Sequence, residues 1–193
     1  MNKKLTIPNI ITFIRIILIP LILYLLFSDD PKIVLIAGFL FIVSSISDFF
    51  DGYLARLLNQ TSKLGILLDP IADKLLIASV IIVLIETRVI THIHVIPAII
   101  ILLREIAISG LREFLANYNE KVPVTFIAKI KTTIQMISLS ILILSVGFDF
   151  NNTIWDAGLV MLWISAIFTL YSGYSYIKKG LTMLTLFFVS SFL

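Results

Sequence analysis

Cysteine is absent from the 193 residues. That excludes a disulfide framework, a thiol nucleophile and a cysteine-based zinc site. Histidine occurs twice, as His92-x-His94, and reads as an outer-loop pair with no third ligand nearby. Charge is scarce as well: 14% of residues are Asp, Glu, Lys or Arg, against about 25% in an average soluble domain. What fills the space is apolar. Hydrophobic residues make up 59% of the chain, with several runs near twenty residues, the pattern of a polytopic membrane protein. Met1–Lys4 followed by Leu5–Leu26 superficially resembles a signal peptide. It lacks an A-x-A-like cleavage site, and its apolar stretch is long enough to span, so it is kept as structure.

Six spans are expected, near Ile10–Phe27, Ile33–Leu57, Leu67–Ile85, Val95–Leu115, Ile130–Val146 and Ile154–Tyr176. Polar breaks separate them, among them Ser28–Pro31, Asn59–Ser62 and Asn117–Pro123. The expected fold is therefore all-α, a single six-transmembrane-helix bundle occupying residues 1–193 as one domain. If the N-terminus is cytoplasmic, thirteen of the fifteen lysines and arginines, all but Lys32 and Arg88, fall on that side. This positive-inside bias places both termini in the cytoplasm. The tail, residues 181–193, is apolar but too short to cross: thirteen helical residues reach about 20 Å against a ~30 Å hydrocarbon core. It is expected to lie on the membrane or against the bundle, and no function is assigned to it.

Within this apolar background the chain reads Asp48-x-x-Asp51-Gly52-x-x-Ala55-Arg56, eight residues, then Gly65-x-x-x-Asp69-x-x-x-Asp73. A charge at the centre of a spanning helix costs about 2.5–3.5 kcal/mol even on the lenient insertion scale. Four carboxylates persist there only if something offsets the cost. Asp48 and Asp51 share one helix face at i, i+3, and Asp69 and Asp73 another at i, i+4. A turn at Asn59–Lys63 folds the two helices back on each other, so the pairs meet near the cytoplasmic end. Carboxylates converging in this way can bridge two divalent cations about 3.5–4 Å apart. With no His or Cys nearby, the all-oxygen set suits Mg²⁺ or Mn²⁺. Gly52, Ala55 and Gly65 leave room beside the metals for a nucleotide diphosphate, and Arg56 offers a donor fork to a phosphate. Pro70 is expected in the first turn of its helix, where its missing N–H costs nothing.

This run resembles the signature of the CDP-alcohol phosphotransferase family at every fixed position. The family's fold is a six-helix membrane bundle with a di-metal active site open to the cytoplasm. Its members move a substituted phosphoryl group from a CDP-linked donor to an alcohol and release CMP. Three further blocks extend the resemblance from about Leu5 to Tyr176: Pro8–Arg15, Arg104–Glu113 and Lys129–Met136. They are similar to the bacterial members that transfer a phosphatidyl group from CDP-diacylglycerol to sn-glycerol 3-phosphate, in phosphatidylglycerol and cardiolipin biosynthesis. Ala128 departs from the pattern, which has Gly before Lys-x-Lys-Thr.

The resemblance implies roles. Asp48, Asp51 and Asp69 would hold one cation; Asp69 and Asp73, with Asp48, would hold the second. Asp73 would also be the general base. Gly52, Ala55, Arg56 and Gly65 would border the CDP group, with Asn9, Thr12 and Arg15 on the nucleotide side. Arg104, Arg112, Lys129 and Lys131 would take the phosphate of the acceptor. The implied setting is the bacterial cytoplasmic membrane, with membrane lipids as partners, a homodimer as the assembly and no nucleic acid. Two readings compete. One is a family member using serine, inositol phosphate or phosphatidylglycerol as its alcohol. The other is a small cation transporter with the aspartates as an ion path, which predicts acids spread through the membrane depth rather than gathered near one face.

Overall fold

A computed structural model describes residues 7–57, 63–117 and 126–191, with side chains at 11–47, 65, 68–116, 127–174 and 176–178. These residues form six α-helices: α1 (Ile7–Leu26), α2 (Pro31–Leu57), α3 (Lys63–Glu86), α4 (Val95–Asn117), α5 (Phe126–Gly147) and α6 (Asn152–Ser191). A 3₁₀ turn, His92–His94, leads into α4. No strand occurs among the described residues.

Three stretches are long and apolar enough to cross a membrane: His92–Ala116, Ile127–Gly147 and Asn152–Lys178. Ile11–Leu26 and Pro31–Ser47 are shorter apolar helices. The surface chemistry is that of a protein facing lipid. Ile17, Tyr24, Ile106 and Leu103 are exposed, while Thr12, Arg15, Lys131, Gln135, Thr169 and Ser172 are buried. In hydrocarbon the polar groups must find partners inside the protein, and the outer face can be apolar.

Local chemistry sets the helix ends. Asp30 caps α2, its Oδ1 accepting from the Lys32 N–H at 2.9 Å, and Pro31 takes the first helical position, where no N–H is needed. Asn151 caps α6 through its Oδ1 and the Ile154 N–H at 3.2 Å. α3 stops where Arg88 turns left-handed (φ 58°). The Ile90 N–H then bonds back to the Leu84 carbonyl, six residues earlier, at 2.9 Å, closing the end.

The chain divides into two compact units, residues 1–91 with 136–159 and residues 92–135 with 160–193. In the first, α1 packs against both α2 and α3. The end of α5 approaches α2 closely at Gly147, where a Cβ would stand 3.0 Å from the Leu35 Cα. A Cβ on Gly158 would stand 2.8 Å from Leu142 Cγ, and the Gly158 carbonyl accepts from Ser138 Oγ at 2.9 Å. Small residues allow such backbone approach where apolar burial drives little association. Trp155 Nε1 donates to the Val89 carbonyl at 2.8 Å, pinning the residues after α3. In the second unit, Trp163 Nε1 donates to His94 Nδ1 at 3.1 Å. His94 is therefore a hydrogen-bond acceptor in the fold.

Two expectations about helix ends change. Pro70 is interior, because α3 starts at Lys63. It leaves the Ile66 carbonyl without its i+4 donor beside Asp69, a local weakening of the ladder. The break expected after Tyr176 is also absent, since α6 runs on to Ser191 for 40 residues. Gly180 alone does not stop a helix, costing about 1 kcal/mol relative to Ala. At 1.5 Å per residue α6 is about 60 Å long, roughly twice the hydrocarbon core.

Candidate active site

In the first unit the site begins on α3. Asp69 and Asp73, four residues apart on a continuous helix, share a face and are both half-buried. Thr12 of α1 reaches across to this pair: its hydroxyl donates to Asp69 Oδ1 at 2.6 Å. Thr12 is 0% exposed and Asp69 half-buried, so the bond is partly shielded from water. Such a bond behind a metal-ligating oxygen fixes the carboxylate's rotamer. Arg15, one turn further along α1, is buried at 2% exposure. Gly65, one turn before Asp69, is buried too.

Asp48, Asp51, Gly52, Ala55 and Arg56 lie on the last three turns of α2, whose backbone is helical. Their side chains, and that of Asn9 on α1, lie outside the described residues. The chemistry of the described part fits hard cations. Asp69 and Asp73 offer oxygen only, supported by a hydroxyl, which suits six-coordinate Mg²⁺ or Mn²⁺. Among the described residues no group of three or more potential ligands forms.

The second unit holds the expected cations, and the structure sorts them into two kinds. Arg104 Nη1 bonds Glu105 Oε1 at 3.1 Å, and Nη2 bonds Ser172 Oγ at 2.9 Å. Its guanidinium lies 5.7 Å from the Tyr176 ring centroid, a cation–π contact. Lys131 of α5, 2% exposed, pairs with the same Glu105 oxygen. Arg104 and Lys131 thus converge on one carboxylate in a mostly buried cluster. Arg112 and Lys129 are exposed, and among the described residues neither side chain joins this network.

Glu105, Ser172, Gly173 and Tyr176 are absent from the site as read from sequence. A Cβ on Gly173 would meet Arg104 Cγ at 3.3 Å, so the glycine makes room for the arginine stem. Tyr176 is 3% exposed beneath the Arg104 guanidinium, whereas Tyr171 and Tyr174 on the same helix are exposed. The available signal is spacing: Thr169, Ser172 and Tyr176 recur at i, i+3, i+7, a polar stripe on one face of an apolar helix. Ala128, the residue that departs from the family pattern, is half-buried in the first turn of α5, where its carbonyl accepts from Thr132 Oγ1 at 3.1 Å.

A family model for CDP-alcohol phosphatidyltransferases matches residues 5–171. Among curated proteins, one from Rickettsia bellii (strain RML369-C) is 45% identical over 89% of this chain and 93% of its own length. One from Haemophilus influenzae is 36% identical over 91% of this chain and 93% of its own. A third, from Cereibacter sphaeroides, is 34% identical over 93% and 97%. All three are named CDP-diacylglycerol--glycerol-3-phosphate 3-phosphatidyltransferase.

Proposed function

The chain belongs to the CDP-alcohol phosphatidyltransferase family, and on that premise we propose that it transfers the phosphatidyl group of CDP-diacylglycerol to sn-glycerol 3-phosphate. The products are phosphatidylglycerophosphate and CMP. The observation carrying this reading is the uninterrupted eight-residue signature from Asp48 to Asp73 in a chain that spans 93–97% of these similarly named relatives. The Thr12–Asp69 bond supports the metal-site half of it, because it braces one of the four acids.

Asp48, Asp51, Asp69 and Asp73 would hold two divalent cations, Mg²⁺ or Mn²⁺. When bound, these supply Lewis-acid neutralisation of the donor's pyrophosphate and of the leaving CMP. Thr12 orients Asp69. Gly52, Ala55 and Gly65 leave space for the nucleotide, with Asn9 on its side, and Arg56 contributes donors to its phosphates. Asp73 accepts the proton of the attacking hydroxyl of glycerol 3-phosphate. The hydroxyl oxygen of glycerol 3-phosphate then forms the new bond to the β-phosphorus, while the pyrophosphate bridge breaks and its electrons leave with CMP. Alignment and charge stabilisation supply most of the rate. Arg104 and Lys131, gathered on Glu105, receive the phosphate of the acceptor, and Arg112 and Lys129 add positive potential. The reaction takes place at the cytoplasmic face of the cell membrane, with both termini on that side, in one domain over residues 1–193 that works as a homodimer.

The test is CMP release by purified protein in detergent micelles containing CDP-diacylglycerol. Release should require both glycerol 3-phosphate and Mg²⁺ or Mn²⁺, and should stop with EDTA. Equal release with serine, inositol phosphate or phosphatidylglycerol in place of glycerol 3-phosphate would overturn the acceptor assignment. Cation transport into vesicles without CMP release would overturn the enzyme.

A further inference from the structure

Gln135 lies on α5 one turn beyond Lys131 and is 0% exposed. Neither Nε2 nor Oε1 has a hydrogen-bond partner among the described residues. An orphaned amide is costly in an apolar helix, where no water substitutes. A residue needed only for packing at that position would be Leu or Met, so the amide has a partner in some other state of the protein. Its location says which. At i, i+4 the Cβ atoms of Lys131 and Gln135 lie roughly 6 Å apart on one face. Lys131 ties that face to Glu105 and hence to Arg104. Arg104 Nε is likewise buried without a hydrogen-bond partner among the described residues. A cationic pair and an unsatisfied amide one turn apart match a small phosphomonoester bearing a hydroxyl next to its phosphate-carrying carbon.

We infer that Gln135 is the residue that reads the C2 hydroxyl of the acceptor, with Oε1 accepting from that hydroxyl and Nε2 donating to a phosphate oxygen. This rests on the proposed acceptor, glycerol 3-phosphate, and adds a specificity determinant to it. Sites built to hydrogen-bond a substrate hydroxyl discriminate strongly against the analogue lacking it, because the buried polar group is again left unpaired.

The experiment compares sn-glycerol 3-phosphate with 3-hydroxypropyl phosphate, which keeps the attacking hydroxyl and the phosphate but lacks the C2 hydroxyl. The full chain in CDP-diacylglycerol micelles is assayed by CMP release. The wild type should prefer glycerol 3-phosphate by at least about tenfold in kcat/KM. Gln135→Leu should collapse that preference by about tenfold or more, chiefly through KM for glycerol 3-phosphate, with KM for CDP-diacylglycerol unmoved. Gln135→Glu, of nearly the same volume, retains the acceptor oxygen and loses the donor, so its preference should fall less. If the residue merely packs, Gln135→Leu removes an unsatisfied amide and leaves the ratio intact. An unchanged ratio in an active Gln135→Leu protein overturns the inference while leaving the acceptor assignment standing. A wild-type ratio near one overturns it without any variant. Absence of glycerol 3-phosphate-dependent CMP release in the wild type refutes the function, and the inference with it.

Discussion

Removing the Thr12 hydroxyl tests the site most directly, because that hydroxyl crosses from α1 to Asp69 Oδ1 on α3, at 2.6 Å. Thr12→Val keeps the side chain's shape at a position with 0% exposure, so neither a cavity nor a replacement water confuses the result. A hydrogen bond to a charged group contributes about 1.5–3 kcal/mol. At about 1.4 kcal/mol per decade, its loss corresponds to about 10- to 150-fold. If Asp69 holds a cation, that loss appears as weaker metal binding, since outer partners of metal ligands are typically worth about 10- to 100-fold in affinity. CMP release titrated with Mg²⁺ or Mn²⁺ should show the half-activating concentration rising by that factor, with much of the rate regained at saturating metal. Thr12→Ser, which retains the donor, should stay close to the wild type. A Thr12→Val protein with wild-type metal dependence and rate would refute the argument that Thr12 braces a metal ligand.

Asp73→Asn keeps the volume but cannot take a proton; CMP release should fall at least about 100-fold, while gel filtration in detergent still gives a folded protein. Arg104→Lys loses the fork that joins Glu105 to Ser172 and the plane that lies over Tyr176. KM for glycerol 3-phosphate should rise about tenfold with KM for CDP-diacylglycerol unchanged, and an unaltered acceptor KM would remove Arg104 from the phosphate site. Gly147→Ala drives a methyl to within 3.0 Å of the Leu35 Cα, a backbone atom that cannot rotate away. Overpacking of this kind costs about 1–3 kcal/mol and should lower the thermal midpoint in detergent; an unchanged midpoint would show that α2 and α5 can separate freely there.

Much of this molecule is written locally, and that part is legible along the chain. Helices follow from unbroken apolar runs, their ends from caps such as Asp30-Pro31 and Asn151, and the acidic motif from a spacing short enough to count along one chain. Expectations fail where a local rule has a competitor. Pro70 reads as a first-turn residue, yet α3 extends seven residues before it, because the preceding Lys63–Asp69 turns are stable enough to tolerate the lost bond. The sixth span is expected to end at Tyr176, but the one glycine beyond it, Gly180, is too weak to end α6.

The amino-acid sequence alone determined the all-helical class and the spacing of the four aspartates, since each depends on residues near one another along the chain. Only the tertiary structure decided that Thr12 braces Asp69 from 57 positions away, that Arg104 and Lys131 share Glu105 whereas Arg112 and Lys129 stay at the surface, and that Gln135 is buried. Partners of that kind are chosen by which helix faces meet. In a chain apolar on nearly every side, hydrophobic periodicity marks those faces weakly, and the match of small gaps and buried polar groups sets them instead.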